Sequence, residues 1–377
     1  MAAFFIQPIA FGSWLPRIPD VQHRLDLSSA ELATALLGMP LGILLILPFA
    51  SKALIRLGSK CIMAIGFVLM LLSMPLAVWS VNHLMLLTTL AFVGATTTLV
   101  LLALNVEASA TEKSNGILIL GKCHGFGSFG LMLGSLIGTS LAAFSIPAAL
   151  AVTSVAIALF PVAMMNIYTL PIADVPSVPY LKTNKPIQRI PDKRLLGIAL
   201  FAFGIAMTEG AMADWSAVYL REIFDARGGA AGIGFTLFAA MVTVGRFIGD
   251  YLKANCGAVP TTRICGATAL LGIIITLTAS TISVAYIGFM LLGFGVSVGY
   301  PFAISAAANL PEQPASSNVA TLTFIALLGF LTGPPLIGFI ADITNIRVGL
   351  MVLVPVLTLT LFLTRELEEK PTVPNVA

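Results

Sequence analysis

Twelve stretches of roughly 20 mostly apolar residues, separated by short polar or turn-rich breaks, govern what this chain can fold into. As an α-helix, a stretch of that length matches the hydrocarbon core of a bilayer, and no soluble core takes in a dozen of them. The stretches fall at 2–19, 30–50, 61–80, 84–107, 117–144 and 147–170, then at 195–221, 230–252, 262–281, 284–309, 317–341 and 346–364. Composition agrees: 58% of the 377 residues are hydrophobic and 10% are charged, against about 25% charged in a soluble domain. A soluble enzyme, a nucleic-acid binder with a basic face and a disordered or collagen-like chain are thereby excluded. The expectation is an all-α membrane protein with twelve transmembrane helices.

The one long polar segment, Pro171 to Arg194, is rich in Pro and carries Lys182, Lys185, Arg189, Lys193 and Arg194. It reads as an interdomain linker. The predicted organisation is an N-terminal six-helix bundle over 1–170, a cytoplasmic linker over 171–194, a C-terminal six-helix bundle over 195–364 and a cytoplasmic tail over 365–377. Connections after even-numbered helices, with the tail, hold thirteen Lys and Arg residues, whereas those after odd-numbered helices hold only Arg24, Arg221, Arg227 and Arg347. The positive-inside rule then puts both termini in the cytoplasm, in a bacterial-type inner (plasma) membrane. Met1 runs straight into apolar residues with no basic region before them and no A-x-A-like site after them. Ala2 to Trp14 therefore reads as part of the first span rather than a removed signal peptide, and a native start upstream of Met1 is left open. Cys61, Cys123, Cys256 and Cys265 are scattered without C-x-x-C spacing, so no metal site, redox pair or cofactor is expected.

The two halves repeat. At an offset of 199 residues Gly94 falls on Gly293, Gly130 on Gly329, Gly134 on Gly333 and Leu25-Asp26 on Phe224-Asp225, while Trp14 falls on Trp215 at 201. Parallel duplication of six helices is the pattern of secondary transporters, whose solute site lies near the bilayer midplane between the halves.

Several motifs carry a resemblance. These are Glu209-Gly-Ala-Met-Ala-Asp-Trp215 with Tyr219-Leu-Arg221, then Gly245-Arg246-Phe-Ile-Gly249-Asp250, Asn105-Val-Glu107, His124-Gly-Phe, Gly295 to Pro301, and Gly329 to Gly338 with its Pro334-Pro335 pair. Arg56-Leu-Gly58-Ser-Lys60 follows the second helix, with Ile55 where an Asp is frequent. On these residues the whole chain resembles the major facilitator superfamily, in the branch near fucose:proton symporters and rhizopine-transport proteins. The resemblance implies two pseudo-symmetric six-helix bundles that rock to give alternating access.

Ionisable groups inside a span are functional candidates by default, because each costs about 2.5–3.5 kcal/mol at a helix centre. Glu209, at the middle of the seventh span, leads as the proton-coupling residue; the resemblance places its helix beside the central cavity. Glu107 and His124, both towards the cytoplasmic side, are further proton-coupling candidates, since an imidazole titrates in the physiological range and Glu107 can also neutralise Lys122. Relatives often carry a carboxylate four residues before the matched Asn105, and Leu101 stands there instead, so the fucose-symport mechanism does not carry over unchanged. Arg17 and Asp214 lie at similar outer depth and are expected to pair as an outer gate. Arg246 and Asp250, four apart on one helix face, resemble the charges that hold the cytoplasmic gate shut, with Arg56 in the matching motif of the first half. Trp14, Trp215 and Tyr300 offer aromatic walls to a sugar-like solute, and Gln7, Asn105 and Asn309 offer neutral hydrogen-bonding groups; Asp214 joins them as a substrate-binding candidate.

These readings converge on a non-enzymatic secondary transporter of a small polar solute, coupled to protons, monomeric, embedded in the bilayer and without nucleic-acid partners. The phosphate-binding pattern G-x-x-x-x-G-K-[ST] is absent from the sequence. Two other functions remain open at this level: a proton antiporter exporting an amphipathic compound, and a transporter-like sensor that binds without transport.

Overall fold

The computed structural model describes residues 1–117, 119–170, 192–311 and 313–368, the side chain of Lys113 apart. The described residues form helices without a strand. In the first half the segments are α1 (Ala2–Trp14) with a 3-10 turn (Leu15–Arg17) and α2 (Ile18–Arg24), then α3 (Ser29–Leu36) with α4 (Gly38–Leu57), α5 (Ser59–Val78), α6 (His83–Asn115), α7 (Leu120–Ala143) and α8 (Ala148–Thr169). The second half has α9 (Lys193–Phe224), α10 (Gly229–Cys256), α11 (Ala258–Thr278), α12 (Ile282–Val296) with α13 (Gly299–Ala308), α14 (Ala315–Ile343), and α15 (Ile346–Leu350) with α16 (Leu353–Leu363). Among the described residues eleven of these twelve segments are long and apolar enough to cross a membrane, taking the short turns inside three of them as part of the segment. The first is interrupted, because Pro16 has no N–H to donate back into the preceding turn.

Most of the predicted interdomain linker, 171–191, and the end of the predicted tail, 369–377, lie outside the described residues. Several helices run past their apolar stretch. The fourth reaches Asn115 instead of 107, and the eighth reaches Cys256 instead of 252. Hydropathy marks where lipid ends, whereas the helix ends where a cap stops it: Gly116 at φ 66° and Gly257 at φ 83° take the left-handed backbone that favours glycine. Beyond Asn115, Glu112 turns back and accepts the N–H groups of Ile119 and Leu120 at 2.6 and 2.7 Å, fixing the start of α7.

The repeat is built into the geometry. Asp26 and Asp225, 199 apart, both adopt left-handed backbone at φ 51° and 50°. Gly58 and Gly257, also 199 apart, end α4 and α10 with φ/ψ of 78°/159° and 83°/162°. Gly94 of α6 lies against the carbonyl of Met39, and its repeat mate Gly293 of α12 against the carbonyl of Phe238, itself the mate of Met39. A side chain at either glycine would drive two helices apart. The twelve segments thus form two pseudo-symmetric six-helix bundles.

The ends of the molecule are distinguished by charge: the basic end carries the turns at 58, 116 and 257, and the far end those at 25–28, 144–147 and 225–228. At the far end the halves are fastened together. α7 lies against α10, with Thr236 Oγ1 2.8 Å from Ser135 Oγ and 3.1 Å from Thr139 Oγ1. α3 lies against α14, and Asp342 of α14 accepts the N–H of Ala30 in the first turn of α3 at 3.2 Å. A carboxylate at a helix N-terminus is favoured by the exposed N–H groups and the helix dipole. Gly338 backs directly onto Ala33, Ser29 and Trp215, closing the seam.

Candidate functional site

Two charged side chains and one hydroxyl meet in the middle of the membrane. Glu209 sits near the midpoint of α9, Arg246 about one turn to the basic side of the middle of α10, and Ser128 at the same depth on α7. Arg246 Nη2 donates to Glu209 Oε1 and Oε2 at 3.0 and 3.3 Å, and Nη1 donates to Ser128 Oγ. Arg246 and Glu209 are 22% and 21% exposed. Either charge alone at this depth would be costly, and the pair removes most of that cost by cancelling the net charge. The ion pair lies within the second half, whereas the bond to Ser128 crosses to the first.

The pair is mostly buried, with about one-fifth of each side chain exposed. The far end is closed by the contacts described above, whereas His124, one helical turn from Ser128 on the same face of α7, is exposed. Its ring stands edge-on to Phe4 with centroids 5.4 Å apart, and it lies within electrostatic range of Arg246. Tyr300 of α13 approaches both members of the pair, and its hydroxyl donates to Thr323 at 3.5 Å. Phe126 and Phe247, edge to face at 6.3 Å, close the side between α7 and α10.

The structure therefore brings Glu209, Arg246, His124 and Tyr300 together and adds Ser128, which carries no charge and gave no signal in the sequence. It also corrects several expected partnerships. Arg246 bonds Glu209, while Asp250, its fellow gating candidate, is exposed a turn closer to the basic end. Arg17 does not pair with Asp214. It bonds Asp20 at 2.8 Å and the carbonyl of Ile146 at 2.7 Å, and Asp20 also holds Arg221 at 2.8 Å. The first segment continues beyond Pro16 as α2, which brings Asp20 one turn from Arg17. A cavity of about 310 Å3 opens beside this far-end cluster, between Arg17, Ile146 and Gly228, well away from the central pair.

Glu107 accepts the hydroxyl of Ser59 on α5 instead of neutralising Lys122, which is exposed. Trp14 and Trp215, at 1% and 0% exposure, are packed inside the helix bundle and line no open surface in this state. Gln7 is buried and donates weakly to Met70 Sδ at 3.7 Å. Asn105 Oδ1 is buried without a hydrogen-bond partner among the described residues. Asn309 and Arg56 are exposed at the basic end. The neutral hydrogen-bonding groups expected to surround a solute are thus dispersed, while the charged ones are gathered. The sequence does hold a signal for that gathering: of the six Lys and Arg residues within the predicted spans, Arg17, Arg221, Arg263 and Arg347 lie within two residues of a span end, and Arg246 is the furthest inside.

Comparison with known proteins agrees with the fold. The family model described as Major Facilitator Superfamily matches residues 1–315. An uncharacterized MFS-type transporter of Yersinia pestis is 29% identical over 348 residues, 92% of this chain and 89% of that one. Membrane protein MosC of Rhizobium meliloti is 27% identical over 361 residues, covering 94% and 85%. Among solved structures, a mutant of the nucleoside transporter NupG superposes with a TM-score of 0.78 at 12% identity, covering 98% of each chain. A variant of the E. coli fucose:proton symporter FucP gives 0.61 at 17% identity, covering 98% of this chain and 97% of that one.

Proposed function

The chain belongs to the major facilitator superfamily, and from that premise we propose that it is a secondary active transporter moving a small polar solute across a bacterial inner membrane with protons as the coupling ion. The observation that carries this reading is the Glu209 to Arg246 ion pair, neutral as a whole and mostly buried near the middle of its helices. Alternating access needs a group whose state differs between the two open forms. When Glu209 takes a proton, its hold on Arg246 weakens from a charge-assisted bond to an ordinary one. Arg246 is then free to change partners, and its bond to Ser128 across the halves is free to change with it. His124, one turn closer to the basic end, stands between Glu209 and solvent as a proton relay, and Glu107 lies further along the same side.

In this reading the termini and the basic end face the cytoplasm, and the far end, closed in this state, faces outward. The Arg17, Asp20 and Arg221 cluster and the Thr236 contacts then form the outer gate. The superfamily includes a structurally similar fucose:proton symporter, which supports proton coupling by analogy of fold alone.

Proteoliposomes loaded with a pH-sensitive dye test the reading. Addition of a transported solute drives proton uptake in the wild type, and Glu209→Gln abolishes that uptake while solute binding persists. Undiminished solute-driven proton flux in the variant would remove Glu209 from the coupling role.

A further inference from the structure

We propose that Arg246 anchors a carboxylate on the transported solute, and that this carboxylate takes the place of Glu209 as Glu209 accepts the coupling proton. The inference rests on the transport reading above and names the solute class: small organic monocarboxylates, sugar acids among them.

The guanidinium geometry is the first observation. Glu209 engages a single nitrogen of Arg246, with both carboxylate oxygens on Nη2. Nε is buried and has no hydrogen-bond partner among the described residues. A guanidinium offers a carboxylate two parallel donors along one edge, which is its strongest mode of recognition. The Nε and Nη2 edge is therefore half used, and a carboxylate seated along it would engage both donors. Glu209 is fixed on α9 and reaches one of them; a mobile solute has no such constraint.

The second observation is the net charge. The protein's own groups at the site are one positive and one negative charge. With Glu209 protonated and a carboxylate on Arg246, the site is again neutral. A proton without the anion leaves Arg246 unbalanced, and the anion without a proton leaves one negative charge in excess. Both odd states place an unpaired charge at mid-membrane, which opposes reorientation of the carrier. Proton and anion thus travel together, one to one, without net charge movement, and neither leaks alone. The titratable groups facing the pair are His124 on α7 and Tyr300 on α13. Neither carries the negative charge that would substitute for the carboxylate.

Acetate, the smallest convenient carboxylate, tests the site without knowledge of the natural solute. Glu209→Gln mimics the protonated state and leaves Arg246 without its counter-ion. Sodium acetate titrated into the purified variant, with sodium chloride holding the ionic strength constant, raises its Tm saturably. In the Glu209→Gln, Arg246→Gln double variant, which keeps the shape of both side chains without charge, the rise is lost. The wild type responds to acetate at acid pH more than at neutral pH, and still does so in a His124→Gln background. An equal acetate response in the single and double variants overturns the proposal, as does no response in Glu209→Gln while both variants unfold cooperatively. The two readings fail separately. Acetate binding that needs Arg246, with no solute-driven proton uptake in vesicles, overturns the transport reading and keeps the site. Proton-coupled flux of a neutral solute that survives Arg246→Gln overturns the carboxylate assignment and keeps the transporter.

Discussion

Arg246 and Glu209 stabilise each other only as a pair, and removing one partner exposes that dependence. Breaking a fully buried ion pair costs about 3–5 kcal/mol; with both side chains about one-fifth exposed, the loss for Arg246→Gln is expected near 2 kcal/mol. Adding Glu209→Gln removes the stranded carboxylate and restores much of that loss, so a double-mutant cycle on thermal unfolding in detergent shows strong non-additivity. Additive losses would mean that the two charges do not sense each other. At this scale the sequence was informative about identity and silent about partnership. Glu209 and Arg246 both stood out as rare charges, but they are 37 residues apart, and their contact depends on the depth of Arg246. That depth, and the face of α9 that it meets, are set by how the helices pack, which hydropathy does not report.

Elements are positioned by glycine contacts and capped by glycine turns, and the two uses make different predictions. Gly94 lies against the Met39 backbone carbonyl, an atom that cannot rotate out of the way. Gly94→Ala is therefore expected to force α4 from α6 at a cost of about 1–3 kcal/mol. Gly121, in α7, has open space where its Cβ would sit, and Gly121→Ala is expected to be neutral or slightly stabilising through helix propensity. Melting temperatures of the two variants settle the contrast, and a loss of equal size in both would refute the close-approach account. Helix existence was legible throughout, since twelve apolar stretches became twelve segments. Breaks within segments were not: the 3-10 turn at Pro16 and the interruption between α12 and α13 leave the apolar run continuous while changing the hydrogen bonding beneath it.

Across the whole molecule the seam is closed at one end, and the native cysteines report which end faces where. Cys61 and Cys256 are exposed at the basic end. A membrane-impermeant maleimide is expected to label them in inside-out vesicles and not in intact cells; labelling of intact cells would invert the proposed orientation. At the far end, Ser135 and Thr236 touch through their hydroxyls across the halves. A Ser135→Cys, Thr236→Cys variant is expected to form a disulfide on mild oxidation and to stop transport until reduced, since the bond holds the seam shut. Full transport in the cross-linked protein would show that this seam does not open. The duplication was legible from spaced glycines, because a close backbone approach leaves a mark in sequence; the closed state was not, because the hydroxyl contacts that fasten it use residues common in any membrane helix.

Ser128 gives the carrier one more property. Arg246 and Glu209 belong to the same half, so a rocking motion carries both together, and among the described residues the bond that Arg246 makes across the parting surface is to a neutral hydroxyl. Incoming water replaces such a bond at little cost. At this depth the halves therefore part by exchanging one hydrogen bond for water, and the ionic cost of reorientation falls at the far end, where the Asp20 to Arg221 pair joins the halves.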